Sequence, residues 1–553
     1  MESRLFLIIS PEDDVAVALQ DLSAGQTLFI NQKPIKLPQP VPAKHKFALR
    51  PLERGAYVKM YGVRIGQATR PLALGEVLHL QNLRHAAEPY QLSKQTRYAW
   101  SPPSEADEFS QSYFWGYPRG RGHYGTANYW LVIPLVFCEN RNVETLREIL
   151  AERLGYGPGR SYDIQLEKLW QLHQQNASDA DLLASEIILS GPEVQKPRLF
   201  PQVDGIKFLS HTGGCGGTRA DSEVLCRLLA AYMAHPNVSG ATILSLGCQN
   251  AQIDLLKKVL QEAFPFFDKP LYFLEQQKSR SEPDFIAEAV KYTFIGLRQA
   301  NLCQREKAPL SALHLGLKCG GSDGFSGISA NPVLGFASDL LVALGGTAFL
   351  AEFPELHGVE QALIDRCQDP RDAEKFIQLI QAYSRKVEAA GSSFAFNPSP
   401  GNIRDGLITD AMKSAGAARK GGTAPIAGVL DYTEWPQKPG LHLLCTPGND
   451  VEATTGLAGS GANVMVFTTG LGTPTGNPIC PTLKLSSNTT LFEKMPDLID
   501  FDTGPLLRGE STIAELGVKL LRNILEVASG IYTPKAVRLG QDDFIPWKRD
   551  ISL

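Results

Sequence analysis

The stretch Leu313-His314-Leu315-Gly316-Leu317-Lys318-Cys319-Gly320-Gly321-Ser322-Asp323-Gly324 joins an apolar run to a glycine-rich loop. From about residue 205 onward the chain repeats this succession, as at 206–217 and 241–250, and a helical stretch follows each loop. Alternating strands and helices predict a multidomain α/β protein with parallel-type sheets. In such sheets the functional groups gather in the loops after the carboxyl ends of the strands.

The patterns on either side of this stretch divide the chain into three folded parts. Residues 1–90 contain short apolar runs separated by Gly and Pro, which predicts a small β domain. A linker is predicted over 91–118, a middle α/β domain over 119–304 with a polar elaboration over 157–200, and a C-terminal α/β domain over 305–553. Near the end, Thr512 and Glu515 form a capping-box pattern that predicts a helix stopped by Gly530.

The composition excludes several classes of protein. The 553 residues carry a net charge of −4 and no polybasic run, which argues against nucleic-acid and membrane-surface partners. No apolar run reaches the roughly 18 residues of a membrane span. Nine cysteines in so long a chain form no disulfide framework, so a cytoplasmic location is predicted. The motifs of P-loop enzymes and of Gly-x-Ser-x-Gly hydrolases are absent from the sequence.

Three glycine-rich loops each contain one cysteine after an apolar run: Cys215, Cys248 and Cys319. Thiolates are soft ligands that suit iron, zinc or an iron–sulfur cluster, and glycine lets a ligand approach the main chain closely. The alternative is that each cysteine is a small buried apolar residue. Glu352 and Glu355 follow another apolar run, where carboxylates can bind a divalent ion, act as acid or base, or stabilise a helix N-terminus.

Other polar residues extend this pattern. His45, His79 and His85 lie in the N-terminal part and His211 adjoins the first glycine–cysteine loop, and histidine can act as a base or a metal ligand. Residues 397–402 are rich in donors that suit a polyhydroxylated ligand. These residues predict a polar site, built from several loops, for a small anionic ligand rich in hydroxyl groups, with a metal as one option.

Several motifs in combination carry a resemblance to a known family. They are His45-Lys46, Tyr61-Gly62, Gly125-Thr126, His211 with Gly214-Cys215-Gly216, Gly247-Cys248, Lys318-Cys319-Gly320-Gly321-Ser322-Asp323-Gly324, Glu352 with Pro354-Glu355, Asn397-Pro398-Ser399-Pro400-Gly401-Asn402, Thr446-Pro447-Gly448 and Phe467-Thr468-Thr469-Gly470. Through them the chain resembles the altronate/galactarate dehydratase family over nearly its whole length, and within it the altronate dehydratases.

The resemblance implies a fold and an activity. The fold is a small N-terminal β-clip (SAF-like) domain followed by two α/β parts. The activity is that of a hydro-lyase, which converts D-altronate to 2-dehydro-3-deoxy-D-gluconate and water in hexuronate catabolism, with iron(II) or another divalent ion such as manganese(II). The open alternatives are a galactarate or other aldonate dehydratase, a sulfo-lyase on the same scaffold, and a non-catalytic sugar-acid-binding protein. The ligand partner expected is the sugar acid, and a homo-oligomer is the other option for a partner.

The resemblance also leads to expected roles for residues of this chain. The expected catalytic residues are His45, Lys46, His211 and Lys413. The expected substrate-binding residues are Tyr61, Gly320, Gly321, Ser322, Asp323, Asn397, Asn402 and Thr469. The expected metal ligands are Cys215, Cys248, Cys319 and Glu352, around either a single iron(II) ion or a [4Fe–4S] cluster held by the three cysteines.

The chain departs from the family pattern at a few positions. Ala411 and Met412 stand where many relatives have two glutamates, and His357 replaces a common tyrosine. Leu471 stands where relatives have arginine, which removes a clamp for a substrate carboxylate. This last change bears on the identity of the substrate more than on the class of reaction.

Overall fold

A computed structural model describes residues 4–30, 32–92, 98–157, 162–191 and 196–549 of the chain. It confirms the predicted class, a small N-terminal β part followed by α/β regions with parallel sheets. No helix among the described residues is both long and apolar enough to cross a membrane.

The N-terminal part consists of short antiparallel strands. They are β1 (Phe6–Leu7), β2 (Val15–Ala18), β3 (Thr27–Ile30), β4 (Lys33–Lys36), β5 (Lys46–Ala48), β6 (Tyr57–Met60), β7 (Val63–Ala68) and β8 (Leu83–Arg84). They form the sheets β1-β2-β5 and β6-β7-β8 and the hairpin β3-β4. Side chains alternate along β2, so Val15 and Val17 enter one apolar cluster and Ala16 and Ala18 enter another.

The middle part is built on a parallel sheet. Its elements are β9 (Tyr113–Pro118), β10 (Tyr124–Gly125), β11 (Tyr129–Pro134), α1 (Asn140–Leu150), β12 (Tyr162–Ile164), α2 (Leu166–Gln174), α3 (Asp179–Ala184), β13 (Ile188–Ser190), β14 (Gly205–Phe208), α4 (Arg219–Ala234), β15 (Val238–Ser245), α5 (Ile253–Ala263), β16 (Leu271–Glu275), α6 (Glu282–Ala300) and β17 (Glu306–Pro309). The parallel sheet has the strand order β14-β11-β15-β16.

Two segments of this part differ from a plain α/β pattern. The segment predicted as a linker ends in strand β9, which pairs with β10 and β17 and buries Phe114 in the large C-terminal core. The predicted polar elaboration holds α2, α3 and the hairpin β12-β13, while residues 158–161 and 192–195 of it lie outside the described residues.

The C-terminal part contains a seven-stranded parallel sheet. Its elements are β18 (His314–Cys319), α7 (Ala330–Ala343), β19 (Thr347–Leu350), α8 (Glu360–Ile364), α9 (Pro370–Ala389), α10 (Pro400–Arg404), α11 (Asp410–Ala418), β20 (Ile426–Leu430), β21 (Gly440–Leu444), α12 (Asp450–Gly459), β22 (Val464–Thr469), β23 (Thr482–Ser486), α13 (Thr489–Lys494), β24 (Phe501–Asp502), α14 (Gly504–Arg508), α15 (Ile513–Ala528) and α16 (Lys535–Arg538). The strand order is β20-β21-β19-β18-β22-β23-β24.

This order creates a switch point at the centre of the sheet. The chain leaves β18 toward β19 on one side and later leaves β22 toward β23 on the other. The connections diverge there, and in such sheets ligands usually bind in a crevice outside the carboxyl ends of the strands, here β18 and β22. We call this end of the sheet the crevice. The N-terminal part packs near this crevice, because its apolar cluster includes Phe325 and Ile328 after β18 and Met412 of α11.

Candidate active site

The loop 320–324 follows β18 directly at the switch point. Gly320 N–H donates to Thr468 O at 3.0 Å, and Gly470 N–H donates to Gly321 O at 3.0 Å, so the loop is tied to the end of β22. Gly321 has a φ of +57°, a conformation that favours glycine. Among the described residues, no acceptor receives the N–H groups of Gly321 and Ser322. Two neighbouring free N–H groups form a small anion-binding nest.

Two lysines of the N-terminal part lie behind this loop. Lys44 Nζ lies 3.1 Å from Asp323 Oδ2 and 2.9 Å from Asp405 Oδ1. Lys46 is completely buried, and its Nζ donates to Lys44 O at 2.9 Å and to Gly406 O at 2.7 Å. A methyl group in place of the Gly324 hydrogen would lie 2.4 Å from Lys44 O, so glycine is needed where the loop meets the N-terminal part. We call Lys44, Lys46, Asp323 and Asp405 the loop-base group.

Burial separates the pKa values of the two lysines. Burial lowers the pKa of Lys46 to about 7; Asp323 offsets part of this effect, and the charge of Lys44 adds to it. Burial also acts on Lys44, but Asp323 and Asp405 outweigh it and raise the pKa of Lys44. A lysine with a pKa near neutrality can exchange a proton at physiological pH, whereas its neighbour remains a fixed cation.

A second set of charges surrounds the end of β18. It comprises Lys318, Cys319, Glu352, Glu355, Lys413, Lys420 and Asp450, which we call the lysine–carboxylate cluster. Lys318 pairs with Glu352 and lies 2.8 Å from Asp450 Oδ1. Lys420 Nζ lies 2.8 Å from both Cys319 Sγ and Glu352 Oε2.

The third lysine of the cluster binds the second glutamate. Lys413 Nζ lies 2.9 Å from Glu355 Oε1 and 2.9 Å from Asn397 Oδ1. Burial alone would raise the pKa of Glu355, but Lys413, Lys318 and Lys420 outweigh it and lower that pKa to about 2. Burial raises the pKa of the Cys319 thiol to about 12, although Lys420 opposes the change. The cluster thus holds ionised lysines and an ionised Glu355 beside a neutral thiol.

Local backbone geometry aims the two glutamates at the lysines. Glu352 has a φ of +71°, a left-handed conformation that is costly for a residue with a side chain. Its N–H donates to Thr446 Oγ1 at 2.9 Å, and its carbonyl accepts from Glu355 N–H at 2.7 Å. The strained turn therefore brings both carboxylates back toward the end of β18.

A third group of side chains lies beside this cluster and includes the first residue of α11. His357 Nδ1 donates to Asp410 Oδ2 at 2.6 Å, and the ring of His357 stacks on His85 with centroids 5.3 Å apart and planes at 17°. Asp410 and Lys413 both belong to the first turn of α11, so this group and the lysine–carboxylate cluster share a helix. We call His85, His357 and Asp410 the histidine–aspartate group.

The structure brings most of the predicted site residues to this crevice. Lys46, Asp323 and the glycines lie in or behind the loop, while Cys319, Glu352 and Lys413 lie in the lysine–carboxylate cluster. His45 lies beside Lys46, with Nδ1–H donating to Ala43 O at 3.1 Å, and burial lowers its pKa. Tyr61 packs on Gly327 and on Gly416 of α11, and burial raises its pKa.

Two predicted substrate-binding residues instead support the loops. Asn402 Nδ2 donates to Ser322 O at 2.7 Å, which fixes the glycine-rich loop from outside. Thr469 Oγ1 accepts from Gly472 N–H at 2.9 Å and so closes the turn after β22. These hydrogen bonds hold the two loops in place, and the role of both residues in substrate binding stays a prediction.

Three predicted residues lie elsewhere. Cys215 and Cys248 are exposed in loops of the four-stranded sheet, and the only metal-binding groups found among the described residues contain neither of them. The expected three-cysteine [4Fe–4S] cluster stays a prediction. The catalytic role of His211 also stays a prediction: in the structure its Nδ1 accepts from Gly213 N–H at 3.1 Å and its Nε2–H donates to Pro134 O at 2.7 Å, so main-chain groups use both ring nitrogens. Burial lowers its pKa to about 4, which favours the neutral imidazole.

Some site residues escaped the sequence reasoning. Lys44, Lys318, Asp405, Asp410 and Asp450 all contribute charge to the crevice. Lys318 carried one usable signal, because a lysine at the end of an otherwise apolar central strand must be paired when it is buried. The partners of Lys44 and Asp410 lie more than fifty residues away in sequence, and no local pattern reveals such contacts.

The two groups that can hold a metal ion differ in their fit. Cys319, Glu352 and Glu355 have donor atoms within 4.8 Å of one another, as do His85, His357 and Asp410. In the first group ammonium nitrogens already contact the donors and would repel an added cation. Cys319 and Glu352 are thus brought together as predicted, but as parts of an ion-pair network. In the second group, no described lysine or arginine contacts the donor atoms.

The chain matches known proteins along its length. Family models for the "Altronate/galactarate dehydratase SAF domain", the "D-galactarate dehydratase/Altronate hydrolase, second domain" and "D-galactarate/Altronate dehydratase, C-terminal" match residues 4–86, 116–301 and 310–552. An altronate dehydratase of Escherichia coli (strain K12) is 33% identical over 529 residues, 96% of each chain. One of Bacillus subtilis (strain 168) is 32% identical over 95% of each chain.

A further relative matches over a shorter range. Galactarate dehydratase (L-threo-forming) of Escherichia coli (strain K12) is 34% identical over 299 residues, which are 54% of this chain and 57% of that protein. The full-length matches, the three consecutive family models and the crevice at the switch point all agree with the resemblance seen in the sequence. The chain belongs to the altronate/galactarate dehydratase family.

Proposed function

We propose that this protein is a hydro-lyase that converts D-altronate to 2-dehydro-3-deoxy-D-gluconate and water. The observation that carries the proposal is the similarity to two altronate dehydratases over at least 95% of each chain. The galactarate dehydratase match covers only about half of this chain, which places galactarate second as a substrate.

The reaction requires a base, a site for the substrate carboxylate and help for the leaving hydroxide. The base removes the proton from C2, the hydroxyl on C3 leaves with a proton as water, and the resulting enol tautomerises to the keto acid. Because the C2 proton lies next to an ionised carboxylate, the negative charge that develops there must be stabilised by donors fixed in place beforehand.

Lys46 is the base in this proposal. Its pKa of about 7 leaves about half of the side chain neutral at pH 7, the condition under which a general base is most effective. The charged and titratable groups around it are Asp323, Lys44, His45 and Asp405. Of these, Lys44 and the two aspartates form ion pairs with one another. We therefore assign proton transfer to Lys46, and His45 lies next to it.

The carboxylate of the substrate is proposed to bind at the nest formed by Gly321 and Ser322. Their N–H groups are free among the described residues, and the fixed cation of Lys44 lies behind the same loop. Lys318, Lys413 and Lys420 supply positive charge at the other end of the loop, where the leaving hydroxide must be protonated. A divalent ion such as iron(II) or manganese(II) would supply Lewis-acid assistance to such a departure, but the ammonium groups that contact Cys319 and Glu352 make that cluster unsuited to hold it.

The test is an anaerobic assay of 2-keto-3-deoxy acid formation by the purified protein with iron(II) or manganese(II) added. D-altronate, galactarate and other aldonates are compared as substrates. Turnover of altronate supports the proposal, and turnover of another acid keeps the reaction class but changes the substrate. Tight binding of the acids without turnover would contradict the proposal of an enzyme and would indicate a sugar-acid-binding protein.

The role of Lys46 has its own test. With Lys46 as the base, kcat/KM rises about tenfold between pH 6 and pH 8, because the neutral fraction of a group with a pKa of about 7 rises by that factor. Lys46→Met is expected to lower kcat by a factor of about 100 to 10,000. Lys33→Met, an exposed change on β4 of the same domain, is the matched control. An unchanged pH profile in Lys46→Met would assign the base elsewhere.

A further inference from the structure

The histidine–aspartate group combines side chains from distant parts of the chain. His85 follows β8 of the N-terminal part, His357 follows the turn after β19, and Asp410 is the first residue of α11. One donor atom from each residue lies within 4.8 Å of the other two. The mechanism proposed above uses none of these three side chains.

The group is held in place by its surroundings. The hydrogen bond between His357 Nδ1 and Asp410 Oδ2 and the stacking of the two imidazoles fix the relative positions of the side chains. Gly358 has a φ of +93°, and a methyl group there would lie 3.2 Å from Ala411 Cβ, so the turn after His357 packs closely against α11. His85 Nδ1 lies 3.4 Å from Ala411 N, at the long limit of a hydrogen bond.

A second observation points to a ligand. Asp410 is only 1% exposed, yet its Oδ1 accepts no hydrogen bond from any described residue. A buried carboxylate oxygen without a partner costs free energy unless a donor or a cation satisfies it. The two histidines remain partly accessible, so an ion can reach the group.

We propose that His85, His357 and Asp410 bind one divalent first-row transition-metal ion. Two imidazoles and one carboxylate are the donor set that such ions accept while keeping open positions for water or a ligand. The set contains no thiolate, and it escapes the ammonium contacts that fill the Cys319 group. The inference goes beyond the proposed function, because it rests on a group separate from the loop and from Lys46.

An ion at this site would connect two parts of the protein. His85 belongs to the N-terminal part, whereas His357 and Asp410 belong to the C-terminal part, so one ion would link the two. Asp410 also begins the helix that carries Lys413, whose Nζ binds Glu355. The ion therefore fixes α11 relative to the N-terminal part at the edge of the crevice.

The experiment measures metal binding without substrate. Full-length protein stripped with a chelator is titrated with cobalt(II), and bound metal is counted after dialysis. We expect one ion per chain and a spectrum without a thiolate-to-cobalt charge-transfer band. His357→Gln and Asp410→Asn are each expected to weaken binding at least tenfold. His173→Gln, a change on the exposed helix α2, and Cys319→Ser are expected to bind like the wild type.

Several results would overturn the proposal. One is a wild-type protein that binds no cobalt(II). Another is a thiolate-to-cobalt band in the wild-type spectrum, which would show a cysteine ligand. This result does not depend on whether a variant folds. The third is equal affinity in wild type and His357→Gln. A failure of the dehydratase proposal can be distinguished from a failure of the metal proposal. Bound metal is counted without substrate, and turnover of the sugar acids is measured in a separate assay.

Discussion

Replacing Lys46 by methionine tests the electrostatics of the site independently of any activity. Methionine keeps most of the length of the side chain and removes the amine. Lys46 is fully buried, and its pKa falls from its ordinary value near 10.5 to about 7. In the unfolded chain the same amine stays protonated until about pH 10.5. Between these two values the unfolded state binds more protons, so the wild-type protein becomes more stable as the pH rises.

The size of the effect follows from the two pKa values. At about 1.4 kcal/mol per pKa unit, keeping the ammonium form buried costs about 5 kcal/mol at low pH. The cost is complete below pH 7 and is relieved progressively toward pH 10.5. Relative to wild type, Lys46→Met should therefore gain about 2–3 kcal/mol more unfolding free energy at pH 6 than at pH 9. The two lost hydrogen bonds to carbonyls add a cost that is the same at both pH values.

The assay is urea unfolding of both proteins at pH 6 and pH 9, followed by far-ultraviolet circular dichroism. The quantity of interest is the difference between variant and wild type at each pH, so effects of titrating groups that do not interact with Lys46 cancel. Lys33→Met on β4 serves as the exposed control and should show no such dependence. A Lys46→Met difference that is equal at both pH values would show that the amine keeps an ordinary pKa, and would refute the assignment of Lys46 as the base.

Three further predictions concern the rest of the crevice. Lys420→Met leaves Glu352 with one cationic partner fewer and should lower the unfolding free energy by about 3–5 kcal/mol; an unchanged thermal midpoint would contradict this. Gly324→Ala pushes a methyl group against Lys44 O and should cost about 1–3 kcal/mol, measured by urea unfolding, with activity falling in parallel. Leu471→Arg places a cation beside Gly321 and should lower KM for the sugar acid without raising kcat, whereas Leu302→Arg, on an exposed loop, should not.

The local patterns of the sequence were sufficient for the architecture. The apolar run ending at Cys319 and the glycine-rich loop after it predicted a central strand and its functional loop, and the structure has both. The capping-box residues Thr512 and Glu515 open α15 as predicted, and the helix ends at Ala528, two residues before Gly530. These features depend on neighbours within a few residues, which is the range that periodicity and capping report.

Which residues form the site was harder to predict, because this depends on which loops lie close together in the folded chain. Cys215, Cys248 and Cys319 occupy equivalent places in three strand–loop units of two different sheets, and their spacing along the chain could not show whether the three loops meet. His211 occupies a suggestive place beside a glycine-rich loop, yet its two ring nitrogens are both used by main-chain groups. Such pairings are tertiary, and spacing along the chain carries no information about them.

The loop 320–324 connects the groups that the proposed reaction needs. Cys319 at its beginning lies among lysines with raised pKa values, while Asp323 near its end faces Lys46, whose pKa is lowered. Fixed positive charge and a titrating amine are thus separated by one short turn, on which the N–H groups of Gly321 and Ser322 are free among the described residues. Lys44 and Lys46 both come from the N-terminal part, whereas the loop 320–324 and the cluster around Cys319 come from the C-terminal part. The small β domain therefore completes the proposed site by supplying its base.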